Sequence, residues 1–359
     1  MIPQFNINCP EFVSALSTVG SVATGRAANP AIKNRVLLRA YDDRITLIAT
    51  NGGLEVWAQI PADIKQEGGV IIEYAPVAGI FDKVEGNLSV KEKDGRIEFK
   101  SGRAKIVMAW MKQDEFPEAA QAEGVSISIP FDEWEAIVKQ AGFAFAKVEG
   151  YPIFEGVHIY ARNGIGYAES TDKFHLTQKT FNPQGKGFDA LIDGVSLRIA
   201  MSKMQNARGD IEIRFGRSHL FLFRGGWGAS VPLIEGKYPD IVDFMSRKST
   251  ARFTALRSDF LDALRRVRVT AVDGNVMRLQ TSRNKVTLSS VGGESDAVVE
   301  VEAKIKGAEY EVYLSDDFLF RVLSAYPHDE FTFENEDKVS PIFVRAEGLS
   351  YAVVPINRK

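Results

Sequence analysis

Residues 74–109 read YAPVAGIFDKVEGNLSVKEKDGRIEFKSGRAKIVMA, and this segment decides the fold. It begins as a helix-like stretch, passes through a loop that contains glycine, and ends in two short strands with alternating apolar and polar residues. The same order recurs in residues 193–233, DGVSLRIAMSKMQNARGDIEIRFGRSHLFLFRGGWGASVPL, and in residues 314–354, LSDDFLFRVLSAYPHDEFTFENEDKVSPIFVRAEGLSYAVV. The first strands of the three copies start at residues 88, 211 and 331, about 120 residues apart. Such a spacing is that of a domain rather than of a short solenoid repeat.

A second helix-like segment precedes each copy. These segments are residues 10–24, 130–146 and 257–269, with apolar side chains at helical spacing. Asp132 and Ser258 are the expected N-caps of the second and third segments. Further alternating strands separate each helix from its copy. The sequence therefore predicts three tandem α+β domains, residues 1–122, 123–249 and 250–359, each with two helices packed on antiparallel sheets.

Composition limits the classes of function. The 359 residues are 45% hydrophobic and 25% charged, which is typical of folded protein. The net charge is −3, whereas proteins that grip phosphates tightly are usually basic, so any DNA contact should be weak or topological. Cys9 is the single cysteine, which precludes an internal disulfide and fits a reducing cytosol. The first eight residues show no signal-peptide pattern, and no apolar run approaches the roughly 18 residues that a membrane span needs. These features predict a cytoplasmic protein without a membrane partner.

Motifs of catalysis are missing from the sequence. It contains no nucleotide-binding loop, HExxH, GxSxG or CxxC. The glycine-rich residues 224–228 are not followed by a helix pattern, so they indicate a turn between strands. The four histidines are spread along the chain without the spacing of metal ligands. The expectation is a non-enzymatic protein without a metal or another cofactor.

Five short motifs, each weak alone, occur in one order along the chain. They are SGR at residues 101–103 followed by DEFP at 114–117, FEGV at 154–157, TDKFHL at 171–176, EGKYPD at 235–240 and AVVPI at 352–356. They resemble, in the same order, the SGR…DFP, LNGM, TDGHRL, EGRFPDY and VVMPM segments of the beta subunit of bacterial DNA polymerase III, the beta sliding clamp. The resemblance covers essentially the whole chain.

The resemblance implies a ring. Two copies would join head to tail, domain one of each to domain three of the other, with sheets outside and twelve helices around a hole wide enough for duplex DNA. Such a processivity factor does no chemistry. It tethers the replicative polymerase to DNA by encirclement and is placed there by a clamp loader.

Candidate DNA-facing residues come from the resemblance and from a count of charges on the helices. Arg26 lies in GRAANP, which resembles the family's GRPTLP loop, and Lys147 and Tyr151 lie at the position of its second DNA-touching loop. Only two of the six helical segments carry net positive charge. Their basic residues are Arg198, Lys203 and Arg208 in one and Arg265, Arg266 and Arg268 in the other. For each of these basic residues, an ordinary solvated helix face is the competing interpretation.

The resemblance also implies a pocket that receives short peptides of polymerase, loader and repair proteins. Its residues here would be Phe154, Thr171, Lys173, Phe174, His175, Leu176, Pro239, Phe244, Ala352 and Val354. Lys173, Phe174 and His175 replace the family's Gly, His and Arg, and Asp243-Phe244 replaces an Arg-Val pair. Lys173 should not reach the positive φ open to glycine without strain, and His175 lacks the forked donor of arginine. The pocket should therefore select a different peptide, as would suit a clamp encoded by a bacteriophage and acting in the host cytoplasm.

Two other functions remain open. A clamp-fold interaction protein could sequester replication partners without loading on DNA, as the mildly acidic helices and altered pocket allow. An unrecognised enzyme on an α+β scaffold is the other alternative.

Overall fold

The chain is described by a computed structural model over residues 1–24, 30–146, 150–183, 187–270, 276–291, 295, 297–335, 337 and 340–356. Within these residues the chain forms seven α-helices and 27 strands, and the strands pair antiparallel into four sheets. The helices are α1 (Cys9–Gly20), α2 (Tyr74–Ile80), α3 (Phe131–Ala141), α4 (Gly194–Lys203), α5 (Val242–Met245), α6 (Arg257–Val267) and α7 (Asp316–Ala325). None of these helices is both long and apolar enough to span a bilayer.

Two compact units divide the chain. The first contains residues 1–134 and 195–233. Its strands are β1 (Gln4–Asn8), β2 (Arg35–Tyr41), β3 (Arg44–Thr50), β4 (Glu55–Pro61), β5 (Asp63–Gln66), β6 (Gly68–Glu73), β7 (Asn87–Lys93), β8 (Arg96–Ser101), β9 (Ala104–Met108), β10 (Met111–Lys112), β11 (Val125–Ile129), β16 (Ile211–Phe215), β17 (His219–Arg224) and β18 (Trp227–Pro232). They form a five-stranded sheet, β5-β1-β7-β8-β9, and a nine-stranded sheet, β10-β6-β2-β3-β4-β18-β17-β16-β11.

The second unit contains residues 135–183, 187–194 and 234–359. Its strands are β12 (Gly156–Arg162), β13 (Ile165–Thr171), β14 (His175–Phe181), β15 (Asp189–Asp193), β19 (Ala251–Leu256), β20 (Val276–Ser282), β21 (Lys285–Ser290), β22 (Val298–Glu302), β23 (Lys304–Lys306), β24 (Glu311–Ser315), β25 (Glu330–Asn335), β26 (Ile342–Ala346) and β27 (Leu349–Val353). They form a nine-stranded sheet, β15-β12-β13-β14-β27-β26-β25-β19-β23, and a four-stranded sheet, β22-β21-β20-β24. The three-domain boundaries stay a prediction, since each nine-stranded sheet crosses one of them.

Helical periodicity predicted the buried faces. On α6, Phe260, Leu261, Leu264 and Val267 are all buried, as their spacing indicates. The ring centroids of Phe253 and Phe260 lie 5.9 Å apart, which fixes the helix on its sheet.

Both predicted N-caps were wrong. Helix α3 begins at Phe131, so Asp132 lies inside its first turn. Helix α6 begins at Arg257 after Leu256, which makes no side-chain cap bond, so Ser258 is also inside the helix. Acidic side chains in these first turns still favour the helix because they face its positive dipole end.

Candidate partner pocket and DNA-facing residues

An apolar cluster in the second unit brings together residues from three neighbouring strands and a short helix. It consists of Leu176, Ile241, Met245, Phe343 and Ala352, with Phe244 packed against it. Leu176 on β14 pairs with Ala352 on β27, which in turn pairs with Phe343 on β26. The cluster therefore joins three predicted pocket residues, Leu176, Phe244 and Ala352.

The other members of the cluster were missed from the sequence. Ile241 and Met245 are four residues apart, so one face of the turn of α5 carries both, but four residues are too few for a periodic signal. Phe343 lies in a strand whose first three residues are all buried, which hides the alternation that would assign it to a face.

A hydrogen-bonded turn, residues 171–175, forms one edge of the cluster. The Thr171 hydroxyl donates to the His175 carbonyl at 2.7 Å, and the Phe174 and His175 amides donate to Asp172 Oδ1 at 2.9 and 2.7 Å. Asp172 Oδ2 lies 2.6 Å from His175 Nδ1. Burial acts to raise the pKa of Asp172, but these hydrogen bonds and the charge of His175 hold it below its usual value.

Lys173 adopts the left-handed backbone that the family's glycine would allow, with φ of 81°. Its amide donates to Thr171 Oγ1 at 3.0 Å, which closes the turn. Its ammonium lies 3.3 Å from the ring centroid of Tyr151 and 5.2 Å from that of Phe154. A cation over an aromatic face is stabilising, so these contacts help to offset the backbone strain.

The remaining pocket residues lie around this turn. Phe174 is 64% exposed, although its carbonyl accepts the Val354 amide at 2.9 Å. The His175 ring stacks on Phe318 with centroids 4.0 Å apart. Pro239 is exposed in the loop before α5. An exposed aromatic side chain beside a buried apolar cluster suits a partner with hydrophobic anchors.

The three predicted DNA-facing arginines at the end of α6 differ in the ion pairs that they form within the chain. Arg268 pairs with Asp316 and with Asp317, each at 3.2 Å, and so has a structural role. Arg265 is exposed and pairs with Asp262 at 2.5 Å. Arg266 is exposed and forms no ion pair with the described part of the chain.

The other helix segment presents further basic side chains. Arg198 on α4 and Arg208 after it are exposed, and Lys203 is half-buried. Tyr151 is half-exposed beneath Lys173. Arg26 and Lys147 lie outside the described residues. Contact of any of these residues with DNA stays a prediction.

Known proteins match this chain over its whole length. Residues 3–120 match the family model of the DNA polymerase III beta subunit, N-terminal domain. The beta sliding clamp of Caulobacter vibrioides is 25% identical over 373 residues, covering 98% of this chain and 99% of the relative. That of Treponema pallidum is 22% identical over 347 residues, covering 93% of each. The chain is thus similar to beta sliding clamps over nearly all of its length.

Solved clamp structures confirm the fold. The DNA polymerase sliding clamp from Bacillus subtilis superimposes with a TM-score of 0.94 at 20% identity, covering 100% of both chains. The DNA polymerase III subunit beta from Pseudomonas aeruginosa gives 0.92 at 18% identity, covering 99% and 100%. The α+β class predicted from the three copies and the sliding-clamp fold implied by the resemblance are thereby confirmed.

In the described part of the chain, no group of three or more His, Cys, Asp or Glu side chains is arranged to hold an ion.

Proposed function

We propose that this chain is a DNA sliding clamp, which encircles duplex DNA without reading its sequence and tethers the replicative DNA polymerase. The observation that carries the proposal is the likeness to sliding clamps along the full chain, in sequence and in fold. The clamp is a processivity factor of the cytoplasm, placed on DNA by a clamp loader, and it catalyses no reaction. Encirclement keeps the polymerase at a high effective concentration near the primer end.

A head-to-tail homodimer would form the ring. Strand β9 is an edge of the five-stranded sheet, and β22 is an edge of the four-stranded sheet. An exposed edge has unpaired backbone groups, so it can accept a strand of another copy. Each edge also lies beside a helix whose end exposes an apolar side chain: Ile80 on α2 beside β9, and Val269 after α6 beside β22.

The two edges carry opposite charge. Near β9 the exposed side chains of Lys91, Lys93 and Lys105 surround the buried acid Glu98, and Arg103 is exposed in the turn before β9. On β22, Glu300 and Glu302 point to the exposed side together with Val298. Two identical edges could not complement one another in this way, so the charges favour a heterologous contact between β9 of one copy and β22 of the next.

The apolar cluster with Phe174 would receive the polymerase. Its hydrophobic residues provide the pocket, and the turn 171–175 supplies a polar, ordered edge. Extended peptides with hydrophobic anchors are recognised by such surfaces.

Retention on circular DNA tests the function. The protein is placed on a nicked circular plasmid by its loader, half of the sample is linearised, and both halves are passed through a sizing column at moderate salt. A topological clamp stays on the circle and leaves the linear DNA through its ends. Equal loss from both forms contradicts encirclement and favours the sequestering interaction protein, as would a stable monomer by native mass at micromolar concentration.

A further inference from the structure

The loop 235–241, which carries Pro239 and leads into α5, is fixed on strand β12 at two points. The buried Tyr238 ring lies 4.9 Å from the His158 ring, between centroids. Arg162 Nη1 lies 3.1 Å from Asp240 Oδ2. Strand β12 therefore positions the loop that supplies Pro239 and Ile241 to the proposed partner pocket.

His158 sits between two carboxylates. Its Nε2 lies 2.9 Å from Asp189 Oδ1, and its Nδ1 lies 3.8 Å from Glu169 Oε2. Glu169 is only 1% exposed. Its Oε1 accepts hydrogen bonds from the Tyr160 hydroxyl at 3.0 Å and from Gln178 Nε2 at 2.8 Å. A buried carboxylate is costly without an opposite charge, and only the protonated imidazole can supply one from both ring nitrogens.

Tyr238 connects this charged group to the pocket turn. Burial, followed by the charge of Glu169 and then that of Asp172, raises the pKa of the Tyr238 phenol above its usual value. The charge of the carboxylate that faces His158 and the charge of the carboxylate that orders residues 171–175 thus both act on this hydroxyl. A change at His158 can reach the pocket through this one ring.

We propose that His158 is a positioning residue whose protonated ring holds the loop 235–241 in place, so that partner-peptide binding weakens when the ring loses its proton. The inference rests on the proposed function of the pocket. The sequence offered no signal for it, because His158, Glu169 and Asp189 lie on three different strands that only the sheet brings together.

The direction of the pH response follows from the groups that face the ring. Burial acts to lower the pKa of His158, but the charge of Glu169 on β13 and the hydrogen bond and charge of Asp189 on β15 raise it overall above its usual 6.5. Tyr160 on the same strand and Tyr238 on the loop pack against the ring, with centroids 4.5 and 4.9 Å away, and the charge of His158 also acts on Asp240. The stabilisation is complete below pH 6.5 and is lost as pH rises through the raised pKa.

Amide hydrogen exchange by mass spectrometry tests the positioning role directly. Peptides that cover residues 235–245 and 171–178 are followed from pH 5.5 to 9 in the full-length protein, with rates corrected for intrinsic exchange. We expect protection of both segments to fall about fivefold or more across this range, at the lower end of typical couplings between sites. In His158→Gln the protection should be low at every pH. His219→Gln, a substitution in the first unit, should behave as the unmodified protein.

A second variant separates charge from packing. Glu169→Gln keeps the shape and the acceptor of Glu169 but removes its charge, so the midpoint of the protection change should move to lower pH. A merely structural His158 would leave the midpoint where it is. An unmoved midpoint, or the same pH profile in His158→Gln and the unmodified protein, overturns the proposal.

Peptide affinity separates this proposal from the function of the pocket. The probe is the tightest peptide recovered from a random phage-displayed library on the unmodified protein at pH 6. Its dissociation constant should rise about fivefold or more by pH 8.5 and should rise less in His158→Gln, which retains the titratable His175. Recovery of no binding peptide contradicts the proposed pocket, whereas a bound peptide with equal profiles in both proteins contradicts the role of His158 alone.

Discussion

Lys173 shows how one residue can keep a turn that its own chemistry disfavours. The motif TDKFHL indicated a pocket turn, and its substitution of lysine for glycine predicted strain. The backbone keeps the positive φ because Asp172 and Thr171 accept hydrogen bonds from backbone amides of the turn. These hydrogen bonds hold the turn in one conformation. The sequence did not indicate that the Lys173 side chain would contact Tyr151, since the two residues are 22 positions apart and only folding brings them together.

Substitutions of Lys173 should separate its backbone cost from its side-chain contact. Lys173→Gln retains the strain and loses the cation–π contact, so we expect it to destabilise the protein by about 0.5–1 kcal/mol. Lys173→Gly removes both, and it should be more stable than Lys173→Gln by about 1 kcal/mol. Urea unfolding curves measure both differences. A glycine variant less stable than the glutamine variant would contradict the account of strain.

At the scale of elements, the buried faces of helices were predictable and their ends were not. Apolar spacing placed Phe260 and Leu264 correctly, because burial of a helix stripe dominates its packing. The caps failed because backbone pairing of the preceding strand decides where α6 begins. Helix α5 was not predicted, since a single helical turn is too short to show a periodic pattern. Met245 and its part of the pocket were missed for the same reason.

Helix α6 carries two arginines that should separate DNA contact from stability. Arg266 is exposed without an ion pair among the described residues, whereas Arg268 holds the buried Asp316. Arg266→Ala should weaken binding to short duplexes regardless of sequence and reduce the salt dependence of log K by about one per protomer, leaving the free energy of unfolding unchanged.

Arg268→Ala is the matched variant. It should lower the free energy of unfolding by about 2 kcal/mol, because Asp316 would remain buried without its partner. Fluorescence anisotropy at several salt concentrations and urea unfolding measure the two effects. The assignment of DNA contact to Arg266 and of stability to Arg268 is contradicted if Arg266→Ala binds DNA with the same salt dependence as the unmodified protein, or if both variants lose equal stability.

At the scale of the whole molecule, the repeat predicted the fold but not the continuity of its sheets. Strand β4 pairs with β18, and β14 pairs with β27, so both nine-stranded sheets run across predicted boundaries. Each nine-stranded sheet therefore combines strands from two predicted domains, which an interpretation of each domain by itself could not show. Strands β9 and β22 are edges of the other two sheets, and the proposed ring would join them between two copies of the chain.

Reversal of charge at these edges tests the ring contact. Lys105→Glu on β9 and Glu302→Lys on β22 should each raise the dissociation constant of the dimer about 25-fold, because the ring contains two such contacts and each is worth roughly 1 kcal/mol when exposed to solvent. In the mixed dimer of an equimolar mixture, one interface has the original charge pair and the other has the pair reversed, so both are complementary and affinity should recover. This gain should shrink at high salt. Sedimentation at several concentrations measures all three constants. Lys65→Glu, on the opposite edge strand β5 of the same sheet as Lys105, should leave dimerisation unchanged. An equal effect from Lys65→Glu, or no recovery in the mixture, would show that the copies meet at other surfaces.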